Sequence, residues 1–84
     1  MNYKIIQSDA GFYPKLIEDD GFVYALDTSI AKYLHLEFEE YINFIKENGG
    51  FSIGSYYYFK TEKDCQEFIE NFIEPRLVMQ KLMG

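Results

Sequence analysis

One cysteine, one histidine, two prolines and no tryptophan occur in 84 residues, and each shortage removes a class of chemistry. A lone Cys65 forbids an internal disulfide and suits a reducing compartment. Cys65 and His35 together cannot complete a tetrahedral zinc site, and no D-x-[DN]-x-[DN]-G calcium loop is present. Neither a metal nor another cofactor is therefore expected. Positive charge is also scarce: eight Lys and Arg face fourteen Asp and Glu, for a formal charge of −6 and a pI near 4.6. The basic residues Lys4, Lys15, Lys32, Lys46, Lys60, Lys63, Arg76 and Lys81 are scattered, so direct binding to a phosphate backbone is not expected. No apolar run approaches the ~20 residues a bilayer requires. The start MNYKIIQSD lacks the basic-then-apolar layout of a secretion signal, so a cytoplasmic, membrane-free protein is expected.

Aromatic residues are abundant instead. Eight Phe and eight Tyr make 19% of the chain, apolar residues 48% and charged residues 26%, the profile of a folded domain. The length supports one domain, residues 1–84.

The first third reads as an antiparallel meander. Asn2 to Gln7 and Phe12 to Ile17 are strands separated by the turn residues Ser8 to Gly11. Pro14 cannot donate to a ladder, which predicts an edge position for the second strand. Glu18-Asp19-Asp20-Gly21 predicts a tight hairpin turn into a third strand, Phe22 to Leu26. Asp27, Thr28 and Ser29 are all candidate helix caps. A short helix over Ile30 to Leu34, broken near His35, precedes a second helix whose Phe38, Tyr41, Ile42 and Ile45 share one face. Asn48-Gly49-Gly50 ends that helix. Phe51 to Phe59 reads as a fourth strand, with Phe51, Ile53, Tyr57 and Phe59 on one face and Ser52, Gly54, Tyr56 and Tyr58 on the other. Thr61 to Asp64 resembles a capping box. Cys65, Phe68, Ile69, Phe72 and Ile73 then trace the clearest amphipathic helix in the chain, which Pro75 is expected to interrupt. The tail RLVMQKLM is open to a resumed helix, the preferred reading, or a strand. The expected architecture is α+β: a four-stranded, mainly antiparallel sheet, made of the meander plus one strand, with helices on one face.

No catalytic constellation emerges. Cys65 lies on an apolar helix face, where a free thiol packs as a small hydrophobe. Gly49-Gly50 follows a helix and lacks the rest of a dinucleotide fingerprint. IAKYLHLEFEEYINFI resembles a helix-turn-helix in its apolar spacing. Its would-be reading helix, however, carries Glu37, Glu39, Glu40 and Glu47 against Lys46 alone, and DNA would repel it. YYYF is similar to the aromatic strands of RNA-recognition domains, yet lacks their basic and glycine positions.

The acidic surface is the sharper signal. With Phe38, Tyr41, Ile42 and Ile45 inward, Glu37, Glu40, Phe44 and Glu47 form an outward stripe, and Glu67, Glu70 and Glu74 form a second row on the last helix. A ring among carboxylates is the pattern of a binding hot spot, the ring giving affinity and the charges steering a basic partner. The same rows also suit a merely solvated helix face. Tyr56, Tyr58 and the VMQKLM tail are candidates for a self-contact in a homodimer.

The run from Tyr56 to Leu82 carries Tyr57, Tyr58, Phe59, Thr61, Asp64, Ile69, Glu70, Pro75, Leu77, Val78, Met79 and Leu82. In these residues it is similar to the ends of small uncharacterised proteins encoded by phages and prophages of low-GC Gram-positive bacteria. The resemblance covers about a third of the chain and implies a mobile-element origin. The expectation that results is a non-enzymatic acidic protein that docks on a basic site of a host protein, in the manner of anti-CRISPR or other DNA-mimicking inhibitors. The alternative expectation is a homo-oligomeric or virion-associated structural module.

Overall fold

A computed structural model describes residues 2–83. Strands β1 (Asn2–Gln7), β2 (Phe12–Ile17) and β3 (Val23–Tyr24) form an antiparallel sheet in the order β1-β2-β3. β1 and β2 keep the bounds and the antiparallel order that the sequence predicts, and pair from Asn2 with Ile17 to Gln7 with Phe12. The Asp20-Gly21 turn closes β2 onto β3, with the Glu18 N–H donating to the Phe22 carbonyl at 2.8 Å. β3 is shorter than expected and pairs only Val23 and Tyr24, with Ile17 and Leu16.

β2 is therefore the central strand, not the edge strand that Pro14 predicts. β3 stops at Leu16, and the other neighbour on that side of β2 is a bridge from Phe12 to Phe59. Pro14 sits in the gap between the two, where no ladder bond is asked of it.

The expected fourth strand is a hairpin. β4 (Phe51–Ile53) and β5 (Tyr56–Tyr58) pair with each other around Gly54-Ser55 and form a separate two-stranded sheet. Gly54 has φ 62°, the left-handed conformation the turn requires and a side chain resists. The hairpin reaches the first sheet through Phe12 and Phe59, which exchange backbone hydrogen bonds of 2.8 and 2.7 Å. The fold is α+β, with a three-stranded and a two-stranded sheet in place of one four-stranded sheet.

Helix α1 (Asp27–Tyr33) stops at His35, whose φ of 58° breaks the helical path before α2 (Phe38–Glu47) begins. α2 buries Tyr41, Ile42 and Ile45 as expected, but leaves Phe38 exposed at its first turn. The last third is one helical path: α3 (Glu62–Phe68), a π-helical segment (Ile69–Ile73) and α4 (Glu74–Met83). Thr61 caps it, its Oγ1 accepting from the Asp64 N–H at 3.0 Å.

Pro75 does not interrupt this path. It lacks an N–H for the carbonyl of the preceding turn, and its ring crowds that carbonyl. The chain widens one turn instead: the Glu74 N–H reaches the Ile69 carbonyl five residues back. The Arg76 Nη1 then donates to the Phe72 carbonyl at 3.3 Å.

The core lies between this long helical path, α1, α2 and the inner face of the sheet. Cys65, Phe68, Ile69, Phe72 and Ile73 are all buried and meet Leu16, Ile30, Tyr41, Ile45 and Phe59. Tyr3 and Ile5 on β1 and Phe12 on β2 pack from the sheet side, following the two-residue alternation of a strand.

Candidate functional site

The acidic rows end in different states. Glu37 at the N-terminal cap of α2 and Glu40 and Glu47 on it are exposed, together with Glu39, and no side-chain partner for them occurs among the described residues. The second row is exposed but engaged. Lys63 stands 4.0 Å from Glu67, Gln66 donates to Glu70 at 2.7 Å, and the Tyr3 hydroxyl donates to Glu74 at 3.1 Å. Loss of water and then the Glu74 carboxylate raise the Tyr3 phenol above its ordinary pKa.

Phe44 is not a free ring among carboxylates. It packs against the core, 4.3 Å from the Phe72 ring, and the Arg76 guanidinium lies 5.1 Å from Phe44 and 3.8 Å from Phe72. The outward stripe inferred from periodicity misplaces it because α2 is covered along one flank by the long helical path. A ring at the margin of the apolar face is claimed by that neighbour.

The two potentially reactive single residues lie apart in character. Cys65 is fully buried, and its thiol is pushed up to about 12, chiefly by loss of water and secondarily by Glu62. His35 is exposed at the α1–α2 break. Among the described residues, no three His, Cys, Asp or Glu side chains gather as metal ligands.

A different site is formed by the gap beside β2. Between β3 and the Phe12–Phe59 bridge lies a notch of about 220 Å³, walled by Tyr13, Leu26 and the hairpin tyrosines Tyr56, Tyr57 and Tyr58, with Asp27 set into it. The hairpin register decides which rings arrive there. Phe51 pairs with Tyr58 and Ile53 with Tyr56, and cross-strand partners share a face. Tyr58 therefore joins Phe51, 6.3 Å away, instead of lying opposite to it as straight alternation predicts. Tyr58 also meets Tyr13 edge to face at 6.0 Å. Tyr56 and Leu26 stand exposed at the rim, 55% and 54% accessible.

Asp27 is a helix-cap candidate in sequence, but Leu26 occupies the cap position and no side-chain cap bond forms. Asp27 lines the notch instead, and its carboxylate accepts a hydrogen bond from the Tyr57 backbone. Loss of water raises it to about 6, against a smaller lowering effect from the Tyr57 backbone hydrogen bond. Tyr41 adds a polar atom to the interior: its hydroxyl is buried with no partner among the described residues. Burial, then the charges of Asp27 and Cys65, hold its phenol far above its ordinary range.

Sequence reasoning missed this notch because it treated 51–59 as one strand. The signal was present in Gly54-Ser55, a two-residue Gly-Ser step between apolar runs, which is a hairpin pattern. Asp27 and Tyr13 carried no signal of their own, since their meeting depends on where β3 ends.

No protein-family model matches the chain, and no curated protein or solved structure matches it at a significant level.

Proposed function

We propose that this is a non-enzymatic binding protein whose carboxylates dock on a basic site of another protein. The observation that carries the reading is the α2 face, where Glu37, Glu39, Glu40 and Glu47 project into solvent with Lys46 as the cation on that helix. A net charge of −6 extends the same field over the molecule and speeds encounter with a cationic surface. The engaged carboxylates Glu67, Glu70 and Glu74 form the outer part of the field, and Phe44 acts within the monomer, not as an anchor. If the chain comes from a phage, a host defence or nucleic-acid-processing protein is the expected target, with carboxylates standing in for phosphates.

The test compares capture of host proteins by the immobilised chain and by a Glu37→Lys, Glu40→Lys, Glu47→Lys variant. A protein held by the first, released by moderate salt and lost by the second supports the reading. Equal capture by both overturns it.

A second reading, self-assembly, draws on one observation: Val78, Met79 and Leu82 are exposed on α4. Light scattering decides it, since a stable dimer that Met79→Glu dissolves would favour a structural module.

A further inference from the structure

The notch beside β2 differs from the α2 face in kind, because it combines a concave shape, aromatic walls and one carboxylate withdrawn from water. Resting on the docking reading above, we propose that this notch receives the guanidinium of one arginine presented by the basic partner. Asp27 is its counter-charge, and Tyr13, Tyr56 and Tyr58 are its walls.

Size favours a single side chain. Pockets for whole small molecules run from about 300 to 1,000 Å³, whereas this one holds about 220 Å³. Chemistry favours a cation. Tyrosine faces attract positive charge, and Asp27, whose one donor among the described residues is the Tyr57 backbone, retains acceptor capacity for a forked partner. A carboxylate that has already lost much of its water gives up little more when a cation covers it, so its desolvation is already met in the free protein. Among cations, guanidinium suits the site better than ammonium. It is planar, stacks on rings, offers paired donors to a carboxylate and sheds water more readily.

A second copy of this chain is a poor source of that group. Arg76 is the one arginine in the sequence, and its guanidinium is already stacked on Phe72 and Phe44 and donates to the Phe72 carbonyl. Offering it in trans would dismantle those contacts. The occupant therefore comes from a different protein, and the exposed rim residues Leu26 and Tyr56 meet the surface around its arginine.

The experiment uses the full chain, ¹⁵N-labelled, titrated with capped arginine, capped lysine and capped citrulline, the last matching arginine in shape without its charge. The expected result is a saturable shift confined to Tyr13, Leu26, Asp27 and 56–58 with arginine, a weaker one with lysine and none with citrulline. Asp27→Asn is expected to weaken the arginine response by about tenfold or more, as loss of a charge-assisted pair does. Tyr56→Ala, at an exposed rim position that does not threaten folding, is expected to weaken it as well. Equal responses to arginine and citrulline, shifts scattered over the acidic helices, or an unchanged response in both variants would overturn the proposal. These outcomes separate from those of the docking reading: the arginine titration needs no partner, and partner capture that α2 charge reversal abolishes while Asp27→Asn spares would leave docking standing and the notch refuted.

Discussion

The two aromatic regions of this protein use their rings to opposite ends. Under the long helical path, Phe59, Phe68, Phe72 and Tyr41 form a closed ring cluster with centroids 5.1 to 6.3 Å apart. Beside β2, Tyr13, Tyr56, Tyr57 and Tyr58 line an open notch. In the first set Tyr41, Phe68 and Phe72 are turned toward one centre by their helices, and Phe59 reaches it from the bridge to Phe12. The second rides on a hairpin bridged to the main sheet at Phe12 and Phe59, which leaves a wedge unfilled. Ring content alone does not distinguish a closed core from an open notch; how the elements that carry the rings close on one another does.

Breaking the closed region should cost most. Phe68→Ala removes a buried ring in contact with Tyr41, Phe59 and Phe72 and is expected to lose about 3–5 kcal/mol in urea unfolding. The junction between the regions comes next. Gly11 has φ 150°, and a Cβ there would lie 2.7 Å from the Phe59 carbonyl oxygen and 3.0 Å from Tyr58 Cβ. Gly11→Ala should therefore cost about 2–3 kcal/mol by backbone strain and a forced separation. Amide exchange should quicken at Phe12 and Phe59 while 65–73 stay protected. Equal loss of protection throughout would show that the hairpin and core do not open separately.

Arg76→Ala tests the flank of the closed region. It removes a stacked cation and a bond to the Phe72 carbonyl and should cost about 1–2 kcal/mol. Arg76→Lys should recover only part of that, because the planar stack is lost.

The smallest effect has the opposite sign and belongs to the notch. Asp27 is raised to about 6 from 3.8, so the folded chain holds that proton more tightly than the unfolded chain. Its contribution favours folding fully below pH 3.8 and is lost as pH rises through about 6. Asp27→Asn should therefore be more stable than the parent near pH 7.5 by about 1 kcal/mol, a figure reduced for the water at the notch mouth. The advantage should vanish near pH 4. A variant less stable by the same amount at both values would show that Asp27 is not strained in the free protein.

Much of the helical region was legible beforehand. Cys65, Phe68, Ile69, Phe72 and Ile73 repeat at helical spacing, and burial follows that repeat across the π segment. The bounds of β1 and β2 and the Asp20-Gly21 turn were equally readable, because turn chemistry and strand propensity are local. Pro75 misled because its rule concerns a regular α-helix, and a widened turn evades it. Phe44 misled because periodicity locates a residue on a helix without saying how far a neighbouring helix extends. Nothing local to Asp27 reports that β3 ends after two residues and leaves its carboxylate beside a foreign strand.

The amino-acid sequence by itself determined the helical faces, the turns and the excess of negative charge, since each depends on neighbours a few residues apart. The tertiary structure alone decided that Tyr3 engages Glu74, that Phe44 is covered, and that Asp27 and the tyrosines of β2 and β5 share one notch. Those meetings join residues tens of positions apart, and their geometry is set by where the sheets part, a quantity no local pattern encodes.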